Sequence, residues 1–156
     1  MMAGMRIQTL LDTADDKTLL LQRVALGAII LPHGAQKLFG WFGGYGFSGT
    51  MGFFVDTMHL PSPVAFLVIM AESLGACALI AGIFSRAAAA GIAAVMLGAI
   101  LITHLQHGFF MNWFGAQKGE GFEYHLLALA LAAPIIVRGG GAHSADRRIL
   151  PSLARP

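Results

Sequence analysis

Residues 19–39 read LLLQRVALGAIILPHGAQKLF, and this stretch decides the fold. Arg23 stands near its start and His33, Gln36 and Lys37 cluster at its end, with an apolar run between them. Its 21 residues, at a rise of about 1.5 Å each, reach across the roughly 30 Å hydrocarbon core of a bilayer. Such a run predicts a membrane span.

The pattern recurs downstream. Residues 64–84 predict a second span, opened by Pro61 and Pro63 where a helix start tolerates proline and interrupted by Glu72 and Ser73. A third covers 87–106. A fourth covers 122–137 and is closed by Arg138 and the glycines 139–141. The expected architecture is therefore an all-α membrane protein, a bundle of four transmembrane helices over 19–138. An N-terminal lead, 1–18, has no signal-peptide core, and a polar stretch, 139–156, follows the last helix.

Composition agrees with that class. The 156 residues are 56% hydrophobic and 12% charged, against about 25% charged in ordinary soluble domains; the mean hydropathy is +0.71. A formal charge of +2 without a basic-aromatic stripe excludes a nucleic-acid binder. Cys77 is the single cysteine, so no internal disulfide or CxxC redox pair can form.

Two connections are too apolar for solvated loops. Residues 40–63 carry Trp41, Phe42, Tyr45, Phe47, Phe53 and Phe54 among glycines, and 107–121 carry Phe109, Phe110, Trp113 and Phe114. Both are expected in the membrane interface, the first folded back over the helix ends. With four spans, Arg6, Lys17, Arg23, Arg86, Arg138, Arg147, Arg148 and Arg155 share one side, and only Lys37 and Lys118 lie on the other. The positive-inside bias then places both termini in the cytoplasm and the protein, multi-pass, in the cytoplasmic membrane. Arg23, near the inner edge, is expected to snorkel.

This orientation gathers ionisable groups in the outer third of the bilayer. His33, Gln36 and Lys37 end the first helix, Glu72 lies about 12 Å inside the second, His104 and His107 close the third, and Glu123, Tyr124 and His125 open the fourth. A charge in hydrocarbon costs at least about 2.5–3.5 kcal/mol, so these groups should face one another. Glu72 reads either as a structural interhelical ion pair with Lys37 or a histidine, or as a ligand and proton site. Lys37 could simply snorkel outward. His104 and His107, at helical spacing, could join Glu123 or His125 around a metal, or serve as interfacial hydrogen-bonders; no metal site is assigned from them. Haem held by two histidines from separate helices stays open, although no CxxCH motif occurs. Small residues at Ala71 and Gly75, and at Ala90, Ala94 and Gly98, fit close helix contact and a homo-oligomer.

RVALGAIILPHGAQKLFG over 23–40, ESLGA over 72–76, IAGIFSR over 80–86, HGFF over 107–110 and GFEYH over 121–125 together resemble the DoxX family of small four-helix membrane proteins. The resemblance spans about residues 19–137. It implies quinone-linked redox work in the cytoplasmic membrane, since the family name comes from a terminal quinol oxidase subunit and relatives include thiosulfate:quinone oxidoreductase subunits. Other members look like partners of thiol-stress or superoxide-defence proteins. On that reading a quinone is the cofactor and Glu72, His33 and Lys37 are the catalytic set. His33, Gln36, Lys37, Glu72, His104, His107, Glu123 and His125 line its site. The alternative is a non-catalytic subunit that docks a redox partner through its outer aromatic loops. A transporter is disfavoured because no inverted repeat appears.

Overall fold

The computed structural model describes residues 8–153, and among them every regular element is helical. The chain runs through α1 (Lys17–Phe39), a short α2 (Gly46–Gly52), α3 (Ser62–Ala81), α4 (Ser85–His107), α5 (Glu123–Arg138) and α6 (Ala145–Leu153). A further helical turn covers 8–11. Three helices, α1, α3 and α4, have the length and apolarity of membrane spans, with hydropathies of 1.3, 2.2 and 2.1. At 16 residues, α5 reaches only about 24 Å. It packs along α4 and α1.

Local sequence accounts for these boundaries. Asp16 caps α1, its carboxylate accepting from the backbone N–H groups of Thr18 at 2.7 Å and Leu19 at 3.4 Å. Those amides, Thr18 first and with Arg138 nearby, hold the Asp16 carboxyl below its ordinary range. A lowered folded-state pKa means stabilisation present above the unfolded value and lost as pH falls through the folded one. Thermal midpoints of the parent and Asp16→Ala should therefore differ at neutral pH and converge on acidification; a constant gap would show that the carboxylate charge is not what caps the helix. At the other end, Gly40 takes a left-handed φ of 76° and returns its N–H to Gln36, a glycine stop.

The helix α3 ends earlier than the apolar run does. Gly82, at φ 72°, closes it after Ala81, so Ile83 and Phe84 belong to the turn. Two helices also contain a widened π turn, Ala71–Gly75 in α3 and Ile100–His104 in α4. Each inserts one residue and rotates everything beyond it onto a new face.

The core is made of Leu26, Ile30, Ala76, Leu79, Ala89, Ile92, Met96, Ala128, Ala132 and Ile135. Lipid tails are as apolar as these side chains, so packing density rather than expulsion of water holds the helices together. Small residues permit it. A Cβ at Gly27 would meet the Ala76 carbonyl at 2.8 Å, and one at Gly34 would overlap the Glu72 carbonyl. Gly27 and Gly34, seven apart on one face, thus bring the α1 and α3 backbones into contact.

The end of the bundle that holds Arg23 is closed by charged groups. Arg23, expected to snorkel, is instead 1% exposed. Its Nε donates to Gly140 O at 2.8 Å, and Nη1 donates to Leu79 O at 2.6 Å and Ile80 O at 2.7 Å. Leu79 O also accepts from Gly82 N at 3.1 Å; the guanidinium adds a second donor there and supplies one to Ile80 O, in the last turn of α3 where helical partners run out. Arg86 does the same for α5 through Ile136 O and Val137 O. Asp146, on α6, accepts from the N–H groups of Phe84 and Ser85 and from the Ser85 hydroxyl. That grip also holds Phe84 at φ 46°, a left-handed value unusual for an aromatic residue.

Candidate functional site

The end of the bundle opposite Arg23 carries the candidate site. Glu72 sits in the π turn of α3, 5% exposed, and forms an ion pair with Lys37 on the last turn of α1. The turn that carries it is stabilised by Ser73, whose hydroxyl donates to Ile69 O at 2.5 Å. The pair is possible because Gly34 lets α1 lie directly on the Glu72 backbone. Gly34→Ala should push the two helices apart and weaken the pair, since forcing a methyl into a packed contact costs typically about 1–3 kcal/mol. A variant with parental thermal stability would show that this contact is softer than its geometry implies.

Above Lys37 the glycine-aromatic segment folds over the end of α1, as α2 followed by a π turn, Phe53–Thr57. A cavity of about 270 Å³ opens between them, lined by Gln36, Lys37, Gly43, Gly44, Tyr45, Thr50, Phe53 and Phe54. Gly44 permits the close fold, because a Cβ there would overlap the Gln36 carbonyl. Gln36 ties down the segment's start, its amide donating to Phe42 O at 3.3 Å. Thr50, 4% exposed, offers a hydroxyl in an otherwise aromatic wall.

The remaining residues expected at the site divide. His33 lies one helical turn inward of Lys37, exposed on the flank of the bundle, with its ring 5.9 Å from that of Tyr124. Tyr124 neighbours His125, and the His125 and His104 rings are 4.2 Å apart. Glu123 turns to the loop, where its carboxylate accepts from Met111 N at 3.3 Å. His107 packs against Gly119. The spacing of His104 and His107 had placed both on one helical face. Both meet the same stretch of the loop, His104 through Glu120 O and His107 through Gly119, although no third ligand joins them. Among the described residues no three His, Cys, Asp or Glu side chains lie close enough to hold a metal ion.

Of the eight residues expected to bind a cofactor, then, only Gln36 and Lys37 line the cavity. Glu72 stands behind Lys37, and His33, His104 and His125 form a separate group of rings with Tyr124. Thr50 and Tyr45 were missed as cavity-lining residues. Nothing in a glycine-aromatic segment distinguishes a wall from an interfacial anchor. Gly34 was missed as well, although a small residue inside the polar end of a span could have marked it.

No curated protein matches the chain, and no solved structure matches it. The DoxX family model matches residues 18–105, more than half of the 156-residue chain. That region holds α1 to α3, most of α4, the Lys37–Glu72 pair and the whole cavity lining. With three helices long and apolar enough to span a bilayer, this chain is a multi-pass membrane protein of the DoxX family.

Proposed function

We propose that this protein is a quinone-linked redox subunit of the cytoplasmic membrane, binding the quinone ring in the cavity above Lys37. One observation carries the reading: an aromatic-walled cavity of about 270 Å³ whose floor is a lysine held by a buried carboxylate. That volume is near the small end of ligand sites, roughly 300–1,000 Å³. It suits a single substituted ring, leaving an isoprenoid tail in the bilayer. The donor set fits as well. Tyr45, Phe53 and Phe54 provide faces for a flat ring, and Lys37 and Thr50 provide donors for carbonyl oxygens.

The bound quinone supplies a two-electron, two-proton couple, with the electrons coming from a redox partner. The chain's own groups do the rest. Lys37 orients a ring oxygen, Glu72 fixes the ammonium and holds a proton in exchange with it, and the folded-over α2 segment excludes water. Positioned acids and bases of this kind typically speed proton transfer by about 10²–10⁴-fold. Purified protein should retain quinone on lipid extraction, and added decylubiquinone should quench the fluorescence of Trp41, beside the cavity. Protein that neither retains quinone nor responds to it would sink the reading.

A second reading has its own support. Trp113 and Phe114, on the 107–121 loop, are 80% and 95% exposed. They suit a subunit that docks a redox partner without chemistry of its own. A quinone-free protein that loses partner capture on Trp113→Ala would favour it.

Topology belongs to the same proposal. Arg23, Arg86, Arg138, Arg147 and Arg148 gather at one end of the bundle with the ends of the described chain, and Lys37 and Lys118 are at the other. The positive-inside rule makes the first end cytoplasmic and α5 a fourth span. A reporter fused after residue 156 should be cytoplasmic and one inserted beside Gly46 external; the reverse result would invert the site's depth.

A further inference from the structure

Four rings outside the cavity form a file across the outer half of the bundle. His104 and His125 are 4.2 Å apart between centroids, His125 and Tyr124 5.5 Å, and Tyr124 and His33 5.9 Å. One end reaches the 107–121 loop, where His104 Nδ1 lies 2.8 Å from Glu120 O on an exposed segment. The other reaches the site, since His33 is one turn from Lys37 and the Glu72 carboxylate lies within Coulombic range of both His33 and Tyr124.

The two interior members are unfinished. His125 is 7% exposed, yet its Nδ1 has no hydrogen-bond partner, and neither has the buried Tyr124 hydroxyl. Buried polar atoms are rarely left bare; ordered water is the usual complement where no protein group serves. A metal does not take that place, because no third ligand joins the histidines among the described residues. Other ionisable neighbours are turned away, Glu123 to Met111 N and His107 to Gly119.

We propose that His104, His125, Tyr124 and His33, completed by water at the Tyr124 hydroxyl and His125 Nδ1, carry protons between the outer aqueous edge and the Lys37–Glu72 pair. A neutral imidazole accepts a proton on one nitrogen and releases another from its second, so each proton entering at the loop is matched by one leaving toward the pair. The phenol relays in the same way through its oxygen and the adjoining water. The path rests on the quinone reading for its purpose and not for its existence.

The test is hydrogen–deuterium exchange at the histidine rings of ¹⁵N-histidine-labelled full-length protein in liposomes. His125 should exchange readily in the parent. His104→Phe and His104→Gln should slow it by an order of magnitude or more, and free imidazole should restore the rate in His104→Ala. Tyr124→Phe should extend the slowing to His33. The glutamine variant keeps a polar side chain of similar reach, so folding damage is separable from loss of the relay. A parental His125 that stays unexchanged, or equal exchange in folded His104 variants, overturns the path. Quinone content measured on the same samples separates the two proposals. Absent quinone with slowed variants removes only the quinone reading, and retained quinone with unaffected exchange removes only the path.

Discussion

Lys37→Met should lower folded yield and thermal stability more than Glu72→Gln, and the double substitution should recover most of both losses. The expectation follows from where each group would be left. Removing one partner of a buried ion pair typically costs about 3–5 kcal/mol, because the survivor stays desolvated and unpaired. Glu72, with a side chain 6% exposed, has nowhere to go once Lys37 is lost. Lys37, at 23%, borders the cavity and can turn its flexible stem toward the outer surface, which discounts the penalty. With both charges gone neither side is stranded. Thermal unfolding in detergent and the membrane-inserted fraction measure the ranking. Equal stability of all three variants with the parent would remove the pair as a structural element. Quinone content divides the roles further, since the double variant should fold and yet hold no quinone if Lys37 orients the ring.

The second large effect lies at the opposite end. Arg23→Met keeps much of the side-chain volume but leaves the carbonyls of Ile80 and Gly140 without their donor, and Leu79 O with Gly82 N alone. Each acceptor left bare costs about 1–3 kcal/mol, so the two together remove a large share of the stability of a typical domain, about 5–15 kcal/mol. Membrane accumulation of Arg23→Met should nearly vanish. Arg23→Lys should recover little, because an ammonium on a flexible stem cannot reproduce the guanidinium's fixed fork toward carbonyls on two chain segments. Parental levels of the methionine variant would show that these carbonyls find other donors.

The all-helical class and the family were legible because span-length apolar runs and the stretch HGAQKLFG, residues 33–40, carry them directly. The pairing of Glu72 with Lys37 was readable too, since an acid deep in a span needs a cation and the candidates were few. Three features were not. The π turns leave no periodic trace in an apolar run, so the widened turns at Ala71–Gly75 and Ile100–His104 could not be foreseen. Arg23 was placed by its distance from the inner edge. What buries it is the close of α3 at Gly82 and the return of Gly140, and the first was hidden by apolar Ile83 and Phe84 continuing the run. The Thr50 wall depends on α2 crossing the end of α1, a tertiary fact with no local signature.

The grip of Asp146 on the start of α4 bears on how the chain is made. Asp146 is synthesised 61 residues after its partner Ser85. The apolar helices therefore leave the ribosome and enter the bilayer while the first amides of α4 are uncapped. Gly140, the acceptor for Arg23 Nε, arrives later still relative to its donor, 117 residues on. Insertion and locking are thus separate events in time, the second waiting on segments made after α5. A nascent chain halted before Gly140 holds its spans in lipid with the Arg23 end of the bundle still unlocked.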